Sequence, residues 1–94
     1  MKASEVIEAA RAGRSLSGAS LVGLSLRGAS LKGLTLSDAA LDGCDLEGAD
    51  LSGASLERTV LSGCNLASAS LSRAKLDGAR LSHSSLVGAD LLGA

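Results

Sequence analysis

Three groups of residues in this 94-residue chain are of types that do chemistry elsewhere. Cys44 and Cys64 are its two thiols, and a thiol pair can close a disulfide or hold a soft metal. His83 stands among Ser82, Ser84 and Ser85, the residue types of a hydroxyl nucleophile and its base. Asp38, Asp42, Asp45, Glu47 and Asp50 crowd five carboxylates into one stretch, a donor set for a cation or a docking site for a basic partner. None is sufficient as written. Two thiols without a nearby histidine fall short of a zinc site, and a hydroxyl–imidazole pair needs an orienting carboxylate, an oxyanion hole and a cleft. Glycines are frequent, yet no Gly-Lys-Ser/Thr phosphate loop occurs. Whether the carboxylates converge depends on the elements that carry them.

Composition narrows those elements. The chain has no Phe, Trp, Tyr or Pro, so its 46% of hydrophobic residues must pack from Leu, Ala and a few Val and Ile, which implies a narrow interior. A net charge of −1 with 20% charged residues argues against a basic nucleic-acid binder and against a disordered acidic tail. Two cysteines do not make a secreted disulfide framework. No apolar run is long enough for a signal peptide or a membrane span, and the expected location is cytoplasmic, with no membrane contact.

Leucine recurs at every fifth position from Leu16 to Leu91, sixteen times without a miss. Two residues earlier the commonest residue is Ala, the exceptions being Arg14, Leu24, Leu34, Cys44, Thr59, Cys64 and Ser84; two residues later the commonest residue is Gly. On a helix, five residues turn by about 500°, so the leucines would line no single face. In a straight strand an odd step sends alternate leucines to opposite faces. The chain must therefore bend once per repeat. Small residue in, polar residue out, leucine in makes a minimal strand, and the remaining two positions make a corner of about 90°. Four corners close a square of twenty residues, and successive squares stack through parallel ladders about 4.8 Å apart. The expected fold is an all-β solenoid, a right-handed quadrilateral parallel β-helix of four coils at residues 14–33, 34–53, 54–73 and 74–93. Residues 1–13 form a separate capping unit before the β-helix of 14–94. Within it, Ser4 is expected to N-cap a short helix over 4–12, with Gly13 as its stop.

The run Ala49-Asp50-Leu51-Ser52-Gly53 and its cousins through Leu91 resemble the pentapeptide-repeat proteins, over residues 14–94. The resemblance implies the right-handed quadrilateral β-helix reached above. It says little about activity, although some members resemble duplex DNA in size and charge and inhibit or protect DNA gyrase. Asp38, Arg58, Ser68, Arg73 and His83 depart from the pattern, standing at corners where Gly dominates.

On this frame Cys44 and Cys64 share one inward position on adjacent coils, and His83 is an exposed corner residue. The five carboxylates give the second coil a charge of −5, between coils of +3 and +1, and lie on different sides rather than converging. They are the candidate interaction belt for a basic partner. At the far end Leu76, Leu81, Leu86 and Leu91, with Val87 and Leu92, form an uncovered floor, where either two chains meet or the native chain continues beyond residue 94; they are the candidate self-association end. Val22 and Val60 are further exposed contact points. Neither cofactor nor metal nor catalytic residue is expected. The expected function is a non-enzymatic protein–protein interaction or scaffold module of a bacterial cytoplasm, with a protein partner, a homodimer through the C-terminal coil and no direct nucleic-acid binding. Mimicry of DNA, as a modulator or protector of gyrase, is the alternative. Four coils rise about 19 Å, over which B-DNA carries on the order of eleven charges. The net −1 of this chain weighs against that reading.

Overall fold

A computed structural model describes all residues, 1–94. From Leu16 onward the chain winds as a solenoid in which each residue lies beside the residue twenty positions on. Parallel bridges join Ser20 to Ala40, Ser25 to Asp45, and so on to Ser70 with Asp90. Each leucine N–H reaches a carbonyl in the next layer, from Leu16 to Thr35 at 2.9 Å through Leu71 to Asp90 at 2.7 Å. From Ala40 to Asp90 the residue before each leucine completes the bridge by donating back, as Ala40 does to Ala19 at 2.9 Å.

Four sides follow from the twenty-residue step. The first is centred on Leu16, Leu36, Leu56 and Leu76, the second on Leu21, Leu41, Leu61 and Leu81. The third is centred on Leu26, Leu46, Leu66 and Leu86, the fourth on Leu31, Leu51, Leu71 and Leu91. No side carries an extended strand. The bridge is a single residue per side, because a turn follows every leucine and a bond such as Ala39 N–H to Leu36 C=O closes each corner at 3.0 Å. Three-residue strands were expected; the corners consume the positions that would lengthen them.

The corner residue adopts a left-handed backbone in every repeat, which is why Gly prevails there. Asp38, Arg58, Ser68, Arg73 and His83 adopt it as well, with φ between 56° and 62°. Inside, the leucines from Leu21 to Leu71 and the small residues facing them form one continuous buried core. Full burial ends at Ala74.

The N-terminal end is covered by helix α1, Ala3–Ala12. It buries Val6 and Ala9 against the first layer, and Ile7 and Ala10 pack beside them. Ser4 is not its N-cap. The helix begins one residue earlier with Lys2 in the cap position, because the Glu5 carboxylate reaches back to accept the Lys2 N–H at 2.7 Å. Gly13, at φ 69°, ends it, and the Arg14 N–H closes on Ala9 at 2.9 Å. No helix is long and apolar enough to cross a membrane.

Candidate interaction surfaces

The two cysteines are inward neighbours on the third side, both buried and both free. Each thiol donates to a leucine carbonyl one layer back on the preceding side, Cys44 Sγ to Leu21 and Cys64 Sγ to Leu41, at 2.9 Å each. Thr59 does the same to Leu36 at 2.7 Å, and Ser84 to Leu61 at 2.5 Å. A hydroxyl or thiol at the small inward position thus stitches two layers through a carbonyl that would otherwise serve only its own turn. Sequence reasoning placed Cys44 and Cys64 at this inward position but not these bonds; the signal was that all four residues can donate. Burial raises both thiols, Cys64 to about 11, so they stay protonated and poorly nucleophilic at neutral pH.

His83 lies at an exposed corner between the second and third sides, and Ser84, beside it, is committed to Leu61 and to the Cys64 N–H. No nucleophile–base hydrogen bond forms there. No cluster of three or more His, Cys, Asp or Glu side chains is placed to hold a metal ion.

The five carboxylates of the second layer do not converge. Asp38 is at the corner of the first and second sides, Asp42 on the second, Asp45 and Glu47 on the third, Asp50 on the fourth. Four of them are held by groups of this chain. Arg58, one layer on, grips Asp38 in a fork of 2.9 and 3.1 Å, which holds that carboxyl below its ordinary range. Arg27, one layer back, reaches Glu47 at 3.1 Å and Asp45 at 3.5 Å, and Asn65 donates to Glu47 from the other side at 3.1 Å. Asp50 accepts from the Ser52 hydroxyl and N–H at 2.6 and 2.9 Å and is lowered by those bonds. Asp42 makes neither an ion pair nor a side-chain hydrogen bond.

The fourth side carries a shallow concavity of about 330 Å³ lined by Lys32, Ser52, Gly53, Ser70, Ser72, Arg73 and Asp90. It has no apolar wall. Val60, expected at the surface, is half-buried in the column between Ala40 and Arg80, whereas Val22 is 57% exposed.

The C-terminal layer is different in kind. Leu76, Leu81 and Leu86 are half-buried and Leu91 is 43% exposed, with Val87 and Leu92 at 75% and 73%. The N–H groups of the four leucines and of the corner residues Gly78, His83, Gly88 and Gly93 have no partner, and the carbonyls of Ala74, Ala79, Ser84 and Ala89 accept nothing. In the earlier layers the equivalent groups form the ladder, save the Arg14 C=O, which accepts no backbone N–H.

The profile of the pentapeptide repeats matches eight copies, over residues 15–48, 44–82 and 74–94. The chain belongs to the pentapeptide-repeat family. Among solved pentapeptide-repeat structures, it is similar to HetL, described as involved in heterocyst differentiation regulation in the cyanobacterium Nostoc sp. strain PCC 7120. Identity is 32% with a TM-score of 0.52, covering 82% of this chain and 46% of that one. A pentapeptide repeat protein of the Arabidopsis thaliana thylakoid lumen is 31% identical, covering 82% of this chain and 57% of its own, with a TM-score of 0.47. QnrB1, a plasmid-mediated fluoroquinolone resistance protein, shares the fold at 23% identity and a TM-score of 0.55, over 85% of this chain and 37% of that one. The chain thus spans about half the length of the solved pentapeptide-repeat relatives it matches. No curated protein matches it. These relatives are right-handed β-helices, and the family is generally one of structural and interaction modules rather than catalysts.

Proposed function

We propose that this pentapeptide-repeat chain is a non-enzymatic interaction module of a bacterial cytoplasm: four coils of a right-handed quadrilateral β-helix that bind protein through an end rather than a cleft. The observation that carries this reading is the match to eight pentapeptide repeats, a family of structural and interaction modules, on a solenoid whose concavity has no apolar wall. The leucines of residues 74–93, with exposed Val87 and Leu92 beside them, are the surface proposed for that contact. The proposed partner is a second copy, because an end-to-end two-fold closes the edge without making a fibre. The acidic belt is a secondary surface. With Asp38, Asp45 and Glu47 tied to arginines of adjacent layers, it offers a basic partner chiefly Asp42 and the free Oδ2 of Asp50.

Those same ion pairs lend nothing to mimicry of DNA, whose phosphates form unbroken negative rows. The test is light scattering of the chain over a concentration series, beside a Leu86→Lys, Leu91→Lys variant. A concentration-dependent rise from 9.2 kDa toward twice that mass, abolished in the variant, is expected. A monomer throughout would overturn self-association. Gyrase supercoiling in the presence of stoichiometric protein is expected to be unchanged; a change that disappears on neutralising Asp42 and Asp50 would favour the mimic instead.

A further inference from the structure

The third side stacks the two thiols of the chain one upon the other. Cys64 lies one twenty-residue layer after Cys44, and the bridge between the residues that follow them, Asp45 and Asn65, fixes that register. The Asn65 N–H reaches the Cys44 carbonyl at 3.1 Å. Both side chains are buried, and each thiol donates to the leucine carbonyl twenty-three positions back, at 2.9 Å in both cases. The two therefore point the same way. A pair related by one layer step has its sulfurs, like its backbones, about 4.8 Å apart along the solenoid.

That spacing selects the chemistry. A disulfide needs Cβ atoms about 3.8 Å apart, well inside the layer step. Zinc takes four ligands, and no third His, Cys, Asp or Glu joins the two thiols. A linear ion needs only two collinear thiolates, and two metal–sulfur bonds of about 2.3 Å placed end to end span about 4.6 Å, close to the layer step. The side chains point into the core, across the solenoid axis, so an ion between the sulfurs lies to the side of each Cβ–Sγ bond, where a thiolate lone pair is directed. Thiolate donors favour soft cations.

Charge and hydrogen bonding agree with this. Both thiols are protonated at neutral pH, so a divalent ion that displaces two protons leaves the buried site neutral. A monovalent ion would leave it negative in an apolar core, which is costly, and the charge of Asp42, which reaches both sulfurs, adds to that cost. The carbonyls that lose their S–H donors are not orphaned. Leu21 keeps the Leu24 N–H at 3.2 Å, and Leu41 keeps the Cys44 N–H at 3.0 Å.

We infer that Cys44 and Cys64 form a two-coordinate site for a linear, thiophilic divalent cation, of which the mercuric ion is the type, bridging adjacent layers of the third side. Binding replaces two S–H bonds with two metal–sulfur bonds and releases two protons to solvent, with no change in oxidation state. The site lies within one chain and needs neither a protein partner nor a second copy, so it stands or falls separately from the function proposed above.

The probe is mercuric chloride, titrated into the folded 94-residue chain at pH 7. With no Trp, Tyr or Phe the chain is dark in the near ultraviolet, and a thiolate-to-metal charge-transfer band can be read directly. The expected result is a break at one ion per chain, two protons released per ion, a solution mass unchanged by the ion and a higher thermal midpoint, because the folded state holds the ion. Cys64→Ala combined with Ala69→Cys keeps two thiols but sets them on different sides, and is expected to weaken binding by at least about tenfold through loss of the preformed geometry. Cys64→Ala alone supplies the same loss should that variant not fold. Restacking the pair on the fourth side, by Cys44→Ala, Cys64→Ala, Ala49→Cys and Ala69→Cys, is expected to restore one tight ion per chain, with circular dichroism checking each fold. A break at half an ion per chain with a doubled mass overturns the site, since the ion then bridges two chains. A folded parent without the band, a midpoint that falls on binding, affinity equal to that of the displaced-thiol variant, or a folded restacked pair that does not bind overturns it too.

Discussion

At the scale of single residues, the small inward position decides more than its size suggests. Ala fills it in most repeats, but Cys44, Thr59, Cys64 and Ser84 use it to donate across layers. Each such bond contributes about 1 kcal/mol net, and for the cysteines the contribution depends on the proton. Cys64 ionises near 9 in an ordinary setting and near 11 in the fold, because the buried thiolate loses its hydration. The folded chain therefore holds a proton that the unfolded chain releases between those values. The stability associated with it is fully present below pH 9 and drains away as pH rises toward 11. Urea unfolding midpoints across pH 7 to 11 should fall for the parent chain above pH 9, and fall less steeply for Cys64→Ala. An equal slope in the two would mean that the thiol titrates in the fold as it does in the unfolded chain.

At the scale of the element, the corner is the unit that repeats, and two corners with one backbone separate conformation from contact. Gly63 and Gly78 have φ of 69° and 70°. A Cβ at Gly63 would find only the Gly43 backbone nitrogen, at 4.0 Å, whereas at Gly78 it would press on the Arg58 stem at 3.2 Å. Ala at either site costs about 1 kcal/mol for the left-handed backbone. Gly78→Ala must in addition displace Arg58, and with it the fork to Asp38, so it should destabilise more than Gly63→Ala in paired urea titrations. In an Arg58→Ala background that difference should vanish. Corners of this kind were legible in the sequence from the Gly period alone, and even their exceptions, such as Asp38 and His83, stand where the period put them. The start of α1 was less so. Ser4 looks like a cap by residue type, and only the reach of Glu5 back to the Lys2 N–H moves the boundary. The belt was legible as charge per layer but not as pairing, since the fork of Arg58 on Asp38 and the grip of Arg27 on Glu47 depend on side-chain reach between layers.

At the scale of the whole molecule, stability is a sum of layers and of the contacts between neighbours, and that additivity depends on register. Each inward leucine is positioned by the ladder to the residue twenty positions on, so twenty residues are the smallest excision that returns every side to its own column. Removing residues 54–73 joins Gly53 to Ala74 and sets the Lys75 side directly beneath the Thr35 side. The core stays leucine on leucine, and α1 and the open edge are untouched. The fork of Arg58 on Asp38 is lost, as are the inward bonds of Thr59 and Cys64. Removing residues 54–58 keeps the five-residue pattern but turns everything after it by one side, so Ser84 passes from the column of Cys44 to that of Ala39. Removing residues 54–72 leaves Arg73 where a small residue belongs and drives every later leucine out of phase. Thermal unfolding should therefore rank the three as follows: the five-residue excision is cooperative and nearest the parent in layers retained, the twenty-residue excision is cooperative at a lower midpoint, and the nineteen-residue excision lacks a transition for its C-terminal part. A cooperative transition of parental size in the nineteen-residue excision would mean that leucine phase does not hold the solenoid together, and the twenty-residue ladder would have to be replaced as the account of its stability.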